Sequence, residues 1–332
     1  MHPILQDLLP EEKIVLKKIK MPSFMHPMLA KLTHEYFSDP AWLFERKLDG
    51  VRGLLFKKGK HSTLKSRNNN ILNESYPEIV SAFDVIDMED AILDGELVAF
   101  EGHNTSFAKL QARFGIENPT RARATRVKVY YYVFDILYFA GYALTMLPLL
   151  TRKMILKKIM IYKTPIRYTV HHMKYGEKYF KQACAKGWEG IIAKKADSTY
   201  VQERSGLWLK FKCINEQEFV IGGYTQPRHS RVGFGALLLG FYKNNKLIYA
   251  GKVGTGFDEE MLIGLKKKLD SVRSARTPFS DYDDTSSAIC WVKPALVCEV
   301  RFTEWTRDNK LRHPAFLGLR YDKSPHEVVQ EV

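Results

Sequence analysis

Within Glu45-Arg46-Lys47-Leu48-Asp49-Gly50-Val51-Arg52, a lysine, two carboxylates, a glycine and an arginine fall in one short run. A lysine amine becomes nucleophilic at neutral pH when desolvation or neighbouring cations lower its pKa, and Lys47 reads as such a nucleophile, one that forms a covalent intermediate. If residues 41 to 49 are extended, as the alternation of Trp42, Phe44 and Leu48 suggests, a period of two sets Glu45, Lys47 and Asp49 on one face. The competing reading is a charged hairpin strand, and the rest of the chain has to decide between the two.

Further groups of the same kind follow. Asp94 and Glu96 lie two apart in the apolar run Ala91 to Phe100, on one face of a strand. Carboxylates buried there need a cation or hydroxyl partner, so the run implies either a structural arginine or a ligand such as a pair of ribose hydroxyls. Phe134, in the apolar stretch 127–139, could stack on a base or simply fill the core. In Glu189-Gly190-Ile191-Ile192-Ala193-Lys194, strict alternation separates Glu189 from Lys194; for both to reach one ligand, a bulge must intervene or Glu189 must precede the strand. Lys210 and Lys212 share one face of Trp208-Leu209-Lys210-Phe211-Lys212 while Leu209 and Phe211 take the other, an arrangement suited to a polyphosphate.

The elements that must position these residues belong to a chain of 332 residues, long enough for two domains, with 45% hydrophobic and 12% aromatic residues. Lys and Arg number 51 against 37 acidic residues, a net charge of +14, which favours an anionic partner, nucleic acid first. No apolar run reaches membrane-spanning length, so no membrane association is expected. Four cysteines, Cys184, Cys213, Cys290 and Cys298, show no C-x-x-C spacing, which argues against zinc and against a disulfide framework and implies a reducing compartment. The first 21 residues lack the apolar core of a signal peptide, so a cytoplasmic protein is expected. The spacing predicts a hairpin over 42–67 turning at Lys57 to Lys60, with Arg67 just beyond it, and helices near 149–160 and 177–186. A polar stretch at 213–218 suits a hinge. After it come strands at 219–224, 235–243, 246–252, 295–305 and 311–319, with a helix near 258–272 between the third and fourth, the layout of an OB barrel. Arg228, His229, Arg231, Arg301, Arg307 and Arg312 gather charge around its loops and strands.

Lys47 to Arg52, Asp94-Gly95-Glu96, Phe134-Asp135, Glu189 to Lys194 and Trp208 to Lys212 together resemble, in order, the nucleotidyltransferase motifs of ATP-dependent DNA ligases. Gly222-Gly223-Tyr224 through Gly254-Thr255-Gly256-Phe257, and Phe302 to Thr306 through Leu311 to Lys323, resemble the ligase module of prokaryotic end-joining ligases in stand-alone form. The resemblance implies an α+β nucleotidyltransferase (adenylation) domain with antiparallel sheets at 22–213, after a lead-in at 1–21, followed by an OB-fold β-barrel domain at 214–332. It implies lysyl-AMP formation on Lys47, transfer of AMP to a DNA 5′-phosphate, and sealing by a 3′-hydroxyl. By the same carry-over Glu45 accepts from the adenine amino group, Phe134 stacks on the ring, and Arg52 and Glu96 hold the ribose. Arg67 contacts ribose or the nick phosphate, and Lys194, Lys210 and Lys212 contact the α-phosphate. Asp49 and Glu189 are the candidates for Mg or Mn, as oxygen ligands of a hard cation. Arg312, Arg320, Asp322 and Lys323 reach pyrophosphate only when the domains close. The implied partners are nicked double-stranded DNA and a Ku-like end-binding protein, and the expected state is a monomer. A GTP-dependent mRNA capping guanylyltransferase, an RNA ligase and a non-catalytic OB nucleic-acid-binding protein are the alternative readings.

Overall fold

Val51, Leu55, Leu54 and Phe56 alternate along one strand into two different apolar clusters, so the sheet that holds this strand is covered on both faces. The protein is described here from a computed structural model over residues 1–227, 231–282 and 289–331. Arg228 and His229 lie outside the described residues. By contacts the chain divides into two units, Met1–Cys213 and Ile214–Val332.

The first unit carries two sheets. Strands β3 (Val51–Lys58), β4 (His61–Ser66), β5 (Ala91–Glu101) and β6 (Val129–Phe139) form the centre of an eight-stranded sheet in the order β6-β5-β3-β4, each pair antiparallel. A smaller sheet has five strands: β7 (His171–Met173), β2 (Trp42–Arg46), β8 (Gly190–Lys195), β9 (Arg204–Lys212) and β1 (Leu29–Leu32), in that spatial order. Its pairs are antiparallel except β9 with β1, which run parallel. The expected hairpin is therefore corrected: its arms are β3 and β4, while β2 belongs to the other sheet. The extended run also stops at Arg46, so Lys47 to Gly50 is the passage from one sheet to the other and strict alternation does not govern it.

Helices α1 (Pro3–Gln6) and α2 (Pro10–Val15) form the lead-in, and it is part of the first unit: Leu5 and Leu8 are buried in the core that also takes Ile155 and Leu156. The latter two belong to helix α4 (Leu149–Lys158); α3 spans Pro77–Asp84 and α5 Gly176–Ala185. Glu12 of α2 accepts a hydrogen bond from the Thr151 hydroxyl at the start of α4.

In the second unit β10 (Asn215–Thr225), β11 (Leu237–Lys243), β12 (Lys246–Val253), β13 (Ile289–Phe302) and β14 (Ala315–Leu319) make an antiparallel sheet in the order β12-β11-β10-β13-β14. Helix α6 (Glu259–Ser271) falls between the third and fourth strands, as expected. Asn244 and Asn245 both have positive φ, 51° and 59°, the backbone that matches a two-residue hairpin turn to strand twist. The expected strand at 311–319 is two pieces: Leu311–Arg312 pairs with Glu304–Trp305, and only Ala315–Leu319 joins the main sheet. The expected hinge also narrows, because Asn215 to Glu218 are already paired with β13. Among the described residues no helix is long and apolar enough to cross a membrane.

The cysteine expectation is overturned. Cys184 at the end of α5 and Cys213 after β9 form a disulfide, with Cα atoms 5.3 Å apart. Sequence spacing does not show the pair, because packing of α5 against the small sheet brings together residues separated by 29 positions. Alkylation of the oxidised protein in denaturant should modify two cysteines, Cys290 and Cys298, and reduction first should raise this to four. Four reactive thiols without reduction would show that the bond does not form.

Candidate active site

The passage Lys47 to Gly50 sets the nucleophile candidate at the seam of the two sheets. Its backbone is pinned: Lys47 N–H donates to Gly190 O at 3.0 Å, and Asp49 N–H donates to the Thr105 hydroxyl at 3.1 Å. Gly50 is required here, since a Cβ would lie 2.1 Å from Leu97 O. The Lys47 amine forms an ion pair with Glu189 Oε1. Glu189 sits just ahead of β8, one of the arrangements the sequence left open. The chain turns there through Gly190, whose φ of 152° and a virtual Cβ only 1.9 Å from Phe211 O both demand glycine. Asp49 Oδ2 accepts from Phe107 N–H at 3.0 Å and so faces the start of the short helix Phe107–Leu110 that follows β5. The expected extension of the strand to residue 49 is corrected, since it ends at Arg46 and period-two alternation does not reach Lys47 or Asp49.

Glu45 is buried, and its two oxygens meet two lysines, Lys153 on Oε1 and Lys194 on Oε2, the latter at 2.6 Å. Burial pushes the Glu45 carboxyl up, but the attraction and hydrogen bonds of Lys153 and Lys194 outweigh it and hold it below its ordinary value. Burial lowers the Lys194 ammonium, helped by repulsion from Lys153 and opposed by Glu45. Lys194 also lies 4.2 Å from the centre of the Phe134 ring and 4.0 Å from that of Trp208. The structure therefore brings Glu45, Phe134 and Lys194 into one buried group.

Arg52 is the partner that the buried Asp94 on β5 requires. Its guanidinium binds Asp94 at 2.5 and 2.6 Å and the Met28 carbonyl at 3.1 Å, while the Tyr200 hydroxyl donates to Asp94 at 2.6 Å. Burial alone would lower the Arg52 pKa; Asp94 more than reverses this and raises it. Arg52 also lies 4.7 Å from the Phe134 ring centre, and Glu96 is its register partner on β5. Lys210 and Lys212 are half-buried opposite Ile192 and Gly190, with Leu209 and Phe211 packed in the small-sheet core, as expected. Arg67 is half-buried just after β4. In the second unit, Arg312 pairs with Glu304 at 2.6 Å on the surface. Arg320 is half-buried against Glu299 at 3.0 Å and Asp322 at 2.8 Å, with Glu218 3.8 Å away, and Lys323 pairs with Glu218 at 2.9 Å. Arg320 therefore has a part in the core of its own unit.

Sequence reasoning missed Arg152, Lys153 and Tyr200. Arg152 is fully buried, bound to both oxygens of Asp135 at 2.7 and 2.9 Å and to the carbonyls of Leu147 and Ser198. A signal was present: 149, 152, 153 and 156 form one stripe of a helix, so Arg152 and Lys153 stand at core positions between Leu149 and Leu156. Arg152→Met leaves the Asp135 charge buried without its cation and should destabilise the protein by about 3–5 kcal/mol in urea melts; a loss near zero would remove the pair from the core. For Glu45, whose pKa is lowered on folding, the stabilisation is complete above its ordinary value of 4.5 and is lost as pH falls through the lower folded value. Glu45→Gln should therefore flatten the acid limb of the stability curve below that pH, and an unchanged limb would show that Glu45 is not held ionised.

The family described as the ATP dependent DNA ligase domain matches residues 27–212, and the ATP dependent DNA ligase C terminal region matches 230–323. The multifunctional non-homologous end joining protein LigD of Pseudomonas aeruginosa is 33% identical over 322 residues, 95% of this chain and 37% of that protein. The non-homologous end joining DNA repair protein LigD of Mycobacterium tuberculosis is 36% identical over 297 residues, 87% of this chain and 37% of that protein. This chain thus spans little more than a third of these relatives. A solved structure, mycobacterial DNA ligase D complexed with ATP and MES, is 33% identical with a TM-score of 0.66, covering 92% of this chain and 98% of that one. Family matches across both units, joined to a buried lysine-and-carboxylate site at the sheet seam, show that the chain belongs to the ATP-dependent DNA ligases.

Proposed function

We propose that the chain seals 3′-hydroxyl/5′-phosphate nicks in duplex DNA, with ATP as AMP donor, in repair or end joining. The observation that carries the reading is Lys47, fixed by its backbone at the seam and held by Glu189 beside the Glu45, Phe134 and Arg52 cluster. In step one the Lys47 amine attacks the α-phosphorus; a P–N bond forms and the P–O bond to pyrophosphate breaks. AMP then passes to the DNA 5′-phosphate, and the 3′-hydroxyl displaces it. Such in-line transfers rest on positioning and charge neutralisation. Glu45 would accept from the adenine amino group, Phe134 would stack on the ring, Arg52 and Glu96 would hold the ribose, and Arg67 would contact ribose or the nick phosphate. Lys194, Lys210 and Lys212 would meet the α-phosphate.

Among the described residues Glu189 Oε2 is buried without a hydrogen-bond partner, a hard oxygen donor that fits a divalent cation. Glu189 and Asp49 would hold Mg or Mn, which when bound supplies charge neutralisation at the phosphates. A closed OB barrel for the second unit, a monomeric state and a Ku-like end-binding partner belong to the same proposal. So does the idea that Arg312, Arg320 and Lys323 orient pyrophosphate, with movement at the junction after Cys213.

Incubation with labelled ATP and Mg should leave AMP on the protein in a denaturing gel, and Lys47→Ala should abolish the adduct in a protein that still unfolds cooperatively. An adduct on Lys47→Ala would move the nucleophile elsewhere. Arg312→Ala tests the second unit better than a change at Arg320, whose guanidinium is built into its own core. It should slow self-adenylylation at least tenfold, the order of a lost charge-assisted hydrogen bond, and spare sealing of a nick that already carries 5′-AMP. Equal losses in both would mean that Arg312 binds DNA. Affinity for nicked duplex should fall linearly in log salt, as phosphate contacts require; a flat line would point to another substrate.

A further inference from the structure

Two lysines converge on the Glu45 carboxylate, and their surroundings differ. The three N–H donors of Lys153 meet three acceptors: Glu45 Oε1, the Thr169 carbonyl at 3.1 Å and the Phe134 carbonyl at 3.4 Å. Its ammonium is buried and lies 4.9 Å from the centre of the Tyr168 ring. Lys194 has one carboxylate oxygen and two aromatic faces. The first lysine is fixed by its neighbours, whereas the second has donors to give to an incoming phosphate.

Lys153 also stands where it can act on both base-contacting groups together. Glu45 is on β2 in the small sheet, Phe134 is on β6 in the large one, and Lys153 on α4 bonds to the side chain of the first and the backbone of the second. We infer that Lys153 is a positioning residue of the nucleobase site: it locks Glu45 against β6 at the height of Phe134, so that the carboxylate meets the 6-amino edge of a purine whose face lies on the ring. Lys194 is the exchangeable partner, leaving Glu45 for phosphate when nucleotide enters. Each Glu45 oxygen has a second lone pair, so the Lys153 bond persists while the base edge is read. With every donor used, Lys153 itself touches neither base nor phosphate. The inference rests on the reading of Glu45 as the adenine acceptor.

A purine riboside triphosphate without the 6-amino group separates positioning from mere support of the fold. Self-adenylylation is followed with this analogue and with ATP on the wild type, Glu45→Ala, Lys153→Met and Lys153→Gln, and the ratio of kcat/KM values is compared. The ratio does not depend on the fraction of protein that is folded, and Lys153→Gln, which keeps an amide donor, serves if Lys153→Met does not accumulate. The wild type should prefer ATP by about tenfold or more, the order of one hydrogen bond to a charged group. Glu45→Ala should lose that preference. Lys153→Met should lose most of it with KM for ATP raised more than kcat is lowered, and Lys153→Gln should fall between Lys153→Met and the wild type. A Lys153→Met or Lys153→Gln enzyme that is slower but keeps the full preference would overturn the positioning role. A wild type that shows no preference would instead overturn the reading of Glu45 on which it stands.

Discussion

Helix α4 drives two adjacent cations into the seam between the sheets of the first unit, and the site depends on that insertion. Arg152 closes on Asp135 and Lys153 on Glu45, all four side chains nearly or wholly removed from solvent. Charges in such a place are tolerated only because each has a counter-ion, and the two cations also donate to backbone carbonyls. The arrangement specifies geometry more than it adds stability. Any slip of α4 along the seam would leave a cation facing apolar side chains, so the two sheets are held at one spacing.

That spacing has a direct consequence for the proposed nucleophile, Lys47. Lys47 leaves one sheet and Val51 enters the other, and the residues between them are fixed by bonds to Gly190, Thr105 and Phe107, contributed by both sides of the seam. Glycine stands where the backbones come too close for a side chain, at Gly50 and Gly190. In the proposed reaction, a Lys47 backbone held this way leaves only the side chain to reorganise before attack, and positioning is the larger part of phosphoryl-transfer catalysis. The Cys184–Cys213 bond lies on the same side, since Cys213 N–H donates to the Glu189 carbonyl at 2.9 Å.

The second unit handles charge differently. Arg320, Asp322, Glu299, Glu218 and Lys323 form a cluster across β10, β13 and the segment after β14, and Asp322 is held below its ordinary pKa by Arg320 and Lys323 against the effect of burial. One cluster thus serves its own packing and contains residues that the motif pattern marks for nucleotide chemistry. Arg312, paired on the surface with Glu304, carries no such double duty.

By itself the sequence determined what local pattern can determine. Apolar runs marked β5 and β6, alternation marked β9, a turn at Lys57 to Lys60 marked the hairpin of β3 and β4, and the ordered motifs marked Lys47 and the family. It also showed that Asp94 needed a partner, though not which one. Tertiary structure decided the rest, for reasons of distance along the chain. Arg52 reaches Asp94 only because β3 pairs with β5, and Lys153 reaches Glu45 across 108 residues. Alternation could not be followed through Lys47 to Gly50, because a strand that crosses between sheets loses the pairing that enforces a period of two. Spacing rules found no bond between Cys184 and Cys213, since a disulfide depends on how the helix packs and not on sequence interval. Arg152 and Lys153 were legible as charges on an apolar stripe, but their counter-ions lie on strands that only the folded chain brings to them.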